Sequence, residues 1–251
     1  MRPITLATAL FVLAACFGAV IGSRGGGAGR TVATQDTAAT GGGQGAEAKP
    51  AIDKKRRQSL QPVRAPDDLG ATAYGHIERL VSFGPRHAAD PVGRPGWTQQ
   101  IAYIEQEFER LGLRVARDTW TDRKELITFS NLSVTIPGTR KDRIVIACHH
   151  DTKCTTGHPA AEHNFDFVGA NDGGSGVGLL LALAPVLRQK PHEATIELVF
   201  FDGEESLDWR WNEAKRALFG SKRFVARHRD AQLLGEEPRI AAVILLDMVG
   251  R

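Results

Sequence analysis

Three cysteines in 251 residues leave this chain without a disulfide framework, and one of them, Cys16, lies in an N-terminal apolar run. None stands in a C-x2-C pair, which excludes zinc-finger spacing, so any metal must be held by His and carboxylates. Cys148 and Cys154 leave one mutual disulfide open. Excess charge is also missing, because 32 Lys and Arg face 29 Asp and Glu for a net charge of +3. With aromatic residues at 7%, no basic face interleaved with stacking rings stands out, and nucleic acid is not the expected partner. Several catalytic signatures are absent. There is no G-x-S-x-G and no H-E-x-x-H, and the Gly-rich residues 173–178 do not fit G-x-G-x-x-G.

What remains is ordinary globular composition, 42% hydrophobic, with a distinct N-terminus. Residues 4–22 carry no charge and lie between Arg2 and Arg24, the pattern of an export signal. A cleaved signal peptide, a lipoprotein acylated at Cys16 in Leu13-Ala14-Ala15-Cys16, and an uncleaved membrane anchor all fit residues 1–22. Each predicts an exported protein: periplasmic, membrane-anchored or secreted. Residues 23–65 are rich in Gly, Ala and Thr and carry the run Lys54-Lys55-Arg56-Arg57, which reads as a flexible linker with a solvated charge cluster. Residues 66–251 are expected to form the folded domain.

Apolar spacing there alternates between helical and strand-like. Helices are expected over 73–81 and 97–111, the second with Ile101, Ile104, Phe108 and Leu111 on one face and Gly112 at its C-terminal cap. Strands are expected over 113–120, 128–136, 143–148, 195–201 and 240–246, with further helices near 176–189 and 221–228. The last three strands are nearly continuous apolar runs, as in central strands buried on both faces. The fold class is α/β, a three-layer sandwich with a mostly parallel central sheet.

In such sheets the ligand site lies beyond the carboxyl ends of the strands. The three apolar strands end in Cys148-His149-His150-Asp151, in Asp202-Gly203-Glu204-Glu205 and in Asp247, and Gly169-Ala170-Asn171-Asp172-Gly173-Gly174 leads into the Leu-rich helix. Taken singly, an Asp before a helix is commonly a cap, a Glu pair a solvated face, and a lone His a satisfied polar residue. Together they would place several negative charges in one crevice, which requires a cation or raised pKa values. One imidazole plus carboxylates suits zinc or another borderline divalent metal. One of the paired glutamates can then bind metal while its neighbour serves as general base or acid.

These motifs resemble the zinc exopeptidases of the bacterial leucyl aminopeptidase type and their relatives, the animal-type glutaminyl-peptide cyclotransferases. The resemblance covers residues 73–250 and implies the phosphorylase/hydrolase-like fold of that superfamily. It implies that Asp172 and Glu205 bind zinc, that Glu204 is the acid/base, that Asp151 orients His149, and that His149 with Asp247 binds a second metal in the aminopeptidases. The candidate catalytic residues are thus Glu204, Asp151 and Asp247, and the candidate metal ligands Asp172, Glu205, His149 and Asp247. The cyclotransferase branch is favoured by Asp118-Thr119-Trp120 before Phe129-Ser130-Asn131, by Cys148-His149-His150-Asp151-Thr152-Lys153, and by the long segment 206–219 carrying Trp209 and Trp211. Residues 169–176 are more similar to the aminopeptidases, and the Cys that animal cyclotransferases carry after the Asp172 position is absent. The implied activity converts an N-terminal Gln to pyroglutamate with loss of ammonia, on peptide or protein N-termini. The alternatives are zinc-dependent removal of N-terminal residues, and a non-catalytic extracellular binding domain of the same fold. The superfamily also uses a later His as a zinc ligand, whereas all eight His here lie at or before His228. The sequence is therefore expected to be C-terminally incomplete, to bind zinc weakly as it stands, and to show little turnover.

Overall fold

A computed structural model describes residues 64–89, 95–209, 214–236 and 238–250. The readings of residues 1–22 and of the low-complexity stretch up to residue 63 fall outside the described residues, as does Trp211. Among the described residues no helix is long and apolar enough to cross a membrane.

Five strands, β1 (Val115–Thr121), β2 (Thr128–Ile136), β3 (Arg140–His149), β4 (Ala194–Phe201) and β5 (Ile240–Leu245), form one sheet in the order β1-β2-β4-β3-β5. Four helices accompany them: α1 (Leu69–Val81), α2 (Gly96–Arg110), α3 (Gly174–Arg188) and α4 (Phe219–Leu233). Side chains of α1, α2 and α3 (Leu80, Ile104, Phe108, Leu180) share one core with Leu132, Leu198 and Phe200 of the sheet. On the opposite face Val145, Ala147, Val199 and Phe201 pack with Phe224 of α4. This gives the three expected layers. Each fully buried Leu or Phe contributes about 1.5–3 kcal/mol of transfer free energy, so the many buried side chains of the first core outweigh any local propensity. Gly112 closes α2 as expected, at φ 66° and with its N–H donating to Glu109 O at 2.8 Å.

Two expectations need correction. The sheet is parallel only where β3 sits between β4 and β5; β2 runs antiparallel to both β1 and β4. The cause is connection length. Residues 122–127 link β1 to β2 too tightly for a crossover, and Asp122 Oδ1 accepts the N–H groups of Lys124 and Glu125 within that turn. β5, expected to be buried on both faces, stands at the sheet edge among the described residues, with Ile244 and Leu245 each 42% exposed. Its apolar run matches a central strand, and among the described residues β3 is the strand beside it.

Candidate metal centre

Because β4, β3 and β5 are parallel and in register, His149 opposite Phe201 and Ala147 opposite Leu245, their carboxyl ends open on the same side. The buried His149 ring is the centre of what gathers there. Its Nε2 lies 3.0 Å from Asp172 Oδ1 and 3.5 Å from Asp247 Oδ1, and its Nδ1 lies 3.5 Å from Asp151 Oδ1 and 3.9 Å from Glu204 Oε2. One ligand atom each from His149, Asp172 and Asp247 falls within 4.8 Å of the other two. Despite these short distances neither ring nitrogen has a partner aligned for a hydrogen bond. The ring is surrounded by carboxylates at ion-pair distance on both of its nitrogens.

Backbone geometry holds the carboxylates in place. Asp151 accepts the N–H of Glu204 at Oδ1 and that of Glu205 at Oδ2, both at 3.0 Å, so a single buried side chain fixes the glutamate turn. Gly173 takes φ 78°, and a Cβ there would meet Asp151 O at 2.4 Å and His149 Cε1 at 3.3 Å; only glycine lets the Asp172 segment come so close to β3. After β5, Val249 N–H donates to Ser175 Oγ and Gly250 N–H to Asn171 Oδ1, which ties the Asp247 segment to the start of α3.

The electrostatics follow from this crowding. Burial, then the charges of His149, Asp151, Asp247 and Asp172, leave Glu204 raised to about 7. Glu205 is raised as well, by burial and then by Asp172 and Asp151. Burial alone would lower His149, but Asp151, Asp172 and Asp247 outweigh it and hold the ring well above its ordinary value. Asp247 is held low by the neighbouring His149. In the protein alone, the raised values of His149, Glu204 and Glu205 favour bound protons that lessen the negative charge of the cluster, which is the task a divalent cation would perform. A buried imidazole with carboxylates converging on both nitrogens fits zinc. The geometry differs from the reading by resemblance in one respect. It draws His149, Asp172 and Asp247 together, with Glu205 outside that threesome but close enough for Asp172 to act on its charge.

The structure adds Arg86, which no motif singled out, and gives roles to His150, Asp202 and Asn131, which the motifs held without a role. Arg86, fully buried, donates to Val168 O, Gly169 O and Gln100 Oε1, and its backbone exchanges hydrogen bonds with Thr152. It brings a cation beneath the Asp172 segment, lowered to about 10 by burial and sustained by Asp151 and Asp172. His150 is also fully buried, between Gln100 Nε2 at 2.9 Å and Ser130 O at 3.0 Å. Its Nε2 must donate to that carbonyl, so Nδ1 accepts and the ring is neutral, in keeping with burial lowering it to about 4. Asp202 accepts Trp97 Nε1–H and Ser130 N–H at Oδ2 and is raised by burial. The Asp118-Thr119-Trp120 and Phe129-Ser130-Asn131 segments face each other residue by residue across β1 and β2. Asn131 then accepts Asp202 N–H and donates to Gly220 O, clamping both ends of the chain that carries Glu204 and Glu205.

The open Cys148 to Cys154 disulfide is not formed; neither residue is in a disulfide. Cys148 belongs to the core beneath α3, where the Cβ of residue 176 would collide with it, whereas Cys154 lies beside Glu205 and Phe129 on the far side of the strand end. Trp209 lies against His158 and His163. A concavity of about 630 Å³ between α1 and α2 is lined by Arg79, Phe83, Tyr103 and Glu105 and holds none of the site residues. Chemistry rather than volume locates the site.

The region that carries this cluster can be compared with known proteins. Residues 131–251 match peptidase family M28. The match includes the ends of β3, β4 and β5 and hence every candidate ligand. The chain is 32% identical over 178 residues to the glutaminyl-peptide cyclotransferase-like protein of Bos taurus, covering 63% of this chain and 43% of that one. Among solved structures it is similar to the glutaminyl cyclase of Fimbriiglobus ruber, at TM-score 0.64 and 27% identity over 74% of this chain and 63% of that one. It is also similar to a Zn-dependent exopeptidase of Parabacteroides distasonis, at TM-score 0.59 and 26% identity over 74% and 64% of the two chains. The chain thus spans less than half the length of the bovine relative. Both branches of the resemblance read from the motifs are represented.

Proposed function

We propose that this protein is a zinc-dependent glutaminyl-peptide cyclotransferase, acting on peptides or proteins with an N-terminal Gln. The observation that carries the reading is Glu204, a carboxyl raised to about 7, held by its backbone on Asp151 and facing the His149 cluster. A group so poised can both take and return a proton near neutrality. The choice of branch rests on the Phe129-Ser130-Asn131 clamp on the Asp202 turn and on the cyclase names of the relatives.

Asp172 and Glu205, with His149 and Asp247 alongside, are the residues that would hold the metal. Bound there, zinc would supply Lewis-acid polarisation of the substrate carbonyl. The crowded carboxylates favour a substrate that brings a positive charge, and a free α-ammonium does so. The ammonium first gives one proton to solvent; as the resulting α-amine attacks the Gln side-chain amide carbon, Glu204 takes a second proton from the attacking nitrogen. A ring carbon–nitrogen bond forms and the bond to the amide nitrogen breaks. Glu204 returns the proton to the departing nitrogen, which leaves as ammonia.

The second reading, a zinc aminopeptidase with two metals, is favoured by the convergence of His149, Asp172 and Asp247. There Glu204 would take its proton from water that attacks the first peptide bond. Mass spectrometry separates the two. Full-length zinc-loaded protein is offered an N-terminal Gln dipeptide amide and a Leu amide. Loss of ammonia with the peptide bond intact is the expected result, and release of free Leu without cyclisation would contradict it.

A further inference from the structure

The chain that leaves Asp151 and the chain that leaves Glu205 meet again beyond the metal cluster. Lys153 Nζ, two residues after Asp151, donates to Ser206 O and Asp208 O. Further on, the His163 ring stacks on the Trp209 indole with centroids 4.0 Å apart and an interplanar angle of 23°. His158 closes on the same indole at 4.7 Å and meets His163 edge-on at 5.1 Å. The segment between Asp151 and Asp172 therefore reaches across to the segment after Glu205 and holds it at an aromatic side chain.

We propose that His158 and His163 are positioning residues, which clamp Trp209 and thereby hold residues 206–209 as one wall of the substrate crevice. The inference rests on the cyclotransferase reading and adds to it two residues that act through Trp209 rather than on the reacting atoms. The loop carrying the imidazoles is shaped by its own hydrogen bonds before any substrate arrives. Ala160 N–H donates to His158 Nδ1 at 3.1 Å, His163 N–H to Ala160 O at 3.0 Å, and Gly157 N–H to Asn164 Oδ1 at 2.9 Å. Thr155 Oγ1 donates to Phe165 O and closes the loop at its base. Both rings are thus presented to Trp209 from a fixed turn, and a stack of this kind orders the indole without contributing a proton to the chemistry.

Such a clamp affects binding more than turnover. Steady-state kinetics on an N-terminal Gln dipeptide amide, with full-length zinc-loaded protein, should show KM rising about three- to tenfold in His163→Ala while kcat changes less than twofold, the span one aromatic stack accounts for. His163→Phe, which keeps a flat ring and loses both nitrogens, should restore KM to within about twofold of the parent. Amide hydrogen exchange over residues 206–209 should quicken in His163→Ala and recover in His163→Phe. An unchanged KM, a parallel loss of kcat, or failure of the Phe variant to rescue would overturn the clamp. If the parent does not cyclise Gln, the cyclotransferase reading fails by itself. The exchange comparison still decides the clamp, because unaltered protection at 206–209 in His163→Ala would refute it without any substrate.

Discussion

Glu204 and Glu205 are neighbours in one turn yet differ in what surrounds their carboxyl groups. Glu204 faces His149, and Glu205 is acted on most strongly by Asp172. That difference assigns proton transfer to the first and charge sharing with a cation to the second. Replacing Glu204 by Gln keeps the volume and removes the proton carrier; turnover should fall by at least about 100-fold, with zinc content by elemental analysis unchanged. The same carboxyls set a pH dependence of stability. Glu204 and Glu205 have folded-state values raised above 4.5, to about 7 and about 8, so they bind protons more tightly folded than unfolded. Their contribution is fully present below 4.5 and is lost as pH rises through the folded values. His149, also raised, has the same sign. Asp151 and Asp247 are lowered, and their contribution is lost only as pH falls below the ordinary Asp value of 3.8. Chelator-treated protein should therefore show a urea midpoint that declines from pH 5 to pH 8, and zinc should flatten the slope. A chelated protein with a level profile would contradict the crowding. His149, Asp151, Asp172, Glu204, Glu205 and Asp247 were all legible in sequence because each stands just after an apolar run or just before a helix. Arg86 was not, because Val168 O and Gly169 O, which it holds, lie 82 and 83 residues away and no local pattern encodes those bonds. Asn131 stood in a motif, but its bonds to Asp202 N–H and Gly220 O are long-range and were not readable.

At the scale of elements, β2 is the template for the site although it contributes no ligand. Ser130 N–H holds Asp202, Asn131 binds both Asp202 N–H and Gly220 O, and Phe129 stacks on Phe219 at 4.6 Å, so β2 fixes β4's exit and α4's entry together. Asn131→Ala leaves the buried Asp202 N–H without its partner and removes a donor to Gly220 O. The expected cost is about 2–4 kcal/mol in urea unfolding, with a loss of zinc affinity as the glutamate turn relaxes. A change under about 0.5 kcal/mol would show that β2 does not perform this role. Strand and helix positions were readable from periodicity, because long buried faces dominate local preference. α3 begins at Gly174 rather than 176 for a reason periodicity does not register: glycines at 173, 174 and 176 allow close backbone approach where side chains would collide. The antiparallel pairing of β2 with β1 follows from the short link 122–127, whereas its pairing with β4 was hidden, since that depends on which strand inserts between β2 and β3.

For the whole molecule, three parallel strands deliver His149, the glutamate pair and Asp247 to one side of the sheet, and the Asp172 segment closes over them. The three-layer class was legible because apolar runs alternate with helical spacing. A metal bound only by the folded protein should stabilise it by about 2.7 kcal/mol when free zinc is a hundredfold above its Kd, so centre and fold are thermodynamically linked. The most direct test of the account is calorimetric titration of metal-free, full-length protein with zinc, beside an Asp172→Ala variant whose far-UV circular dichroism matches the parent. The account predicts saturable zinc binding by the parent and a loss of affinity of at least about tenfold in the variant. Equal affinity in the two proteins, or no zinc bound by the parent, would contradict it.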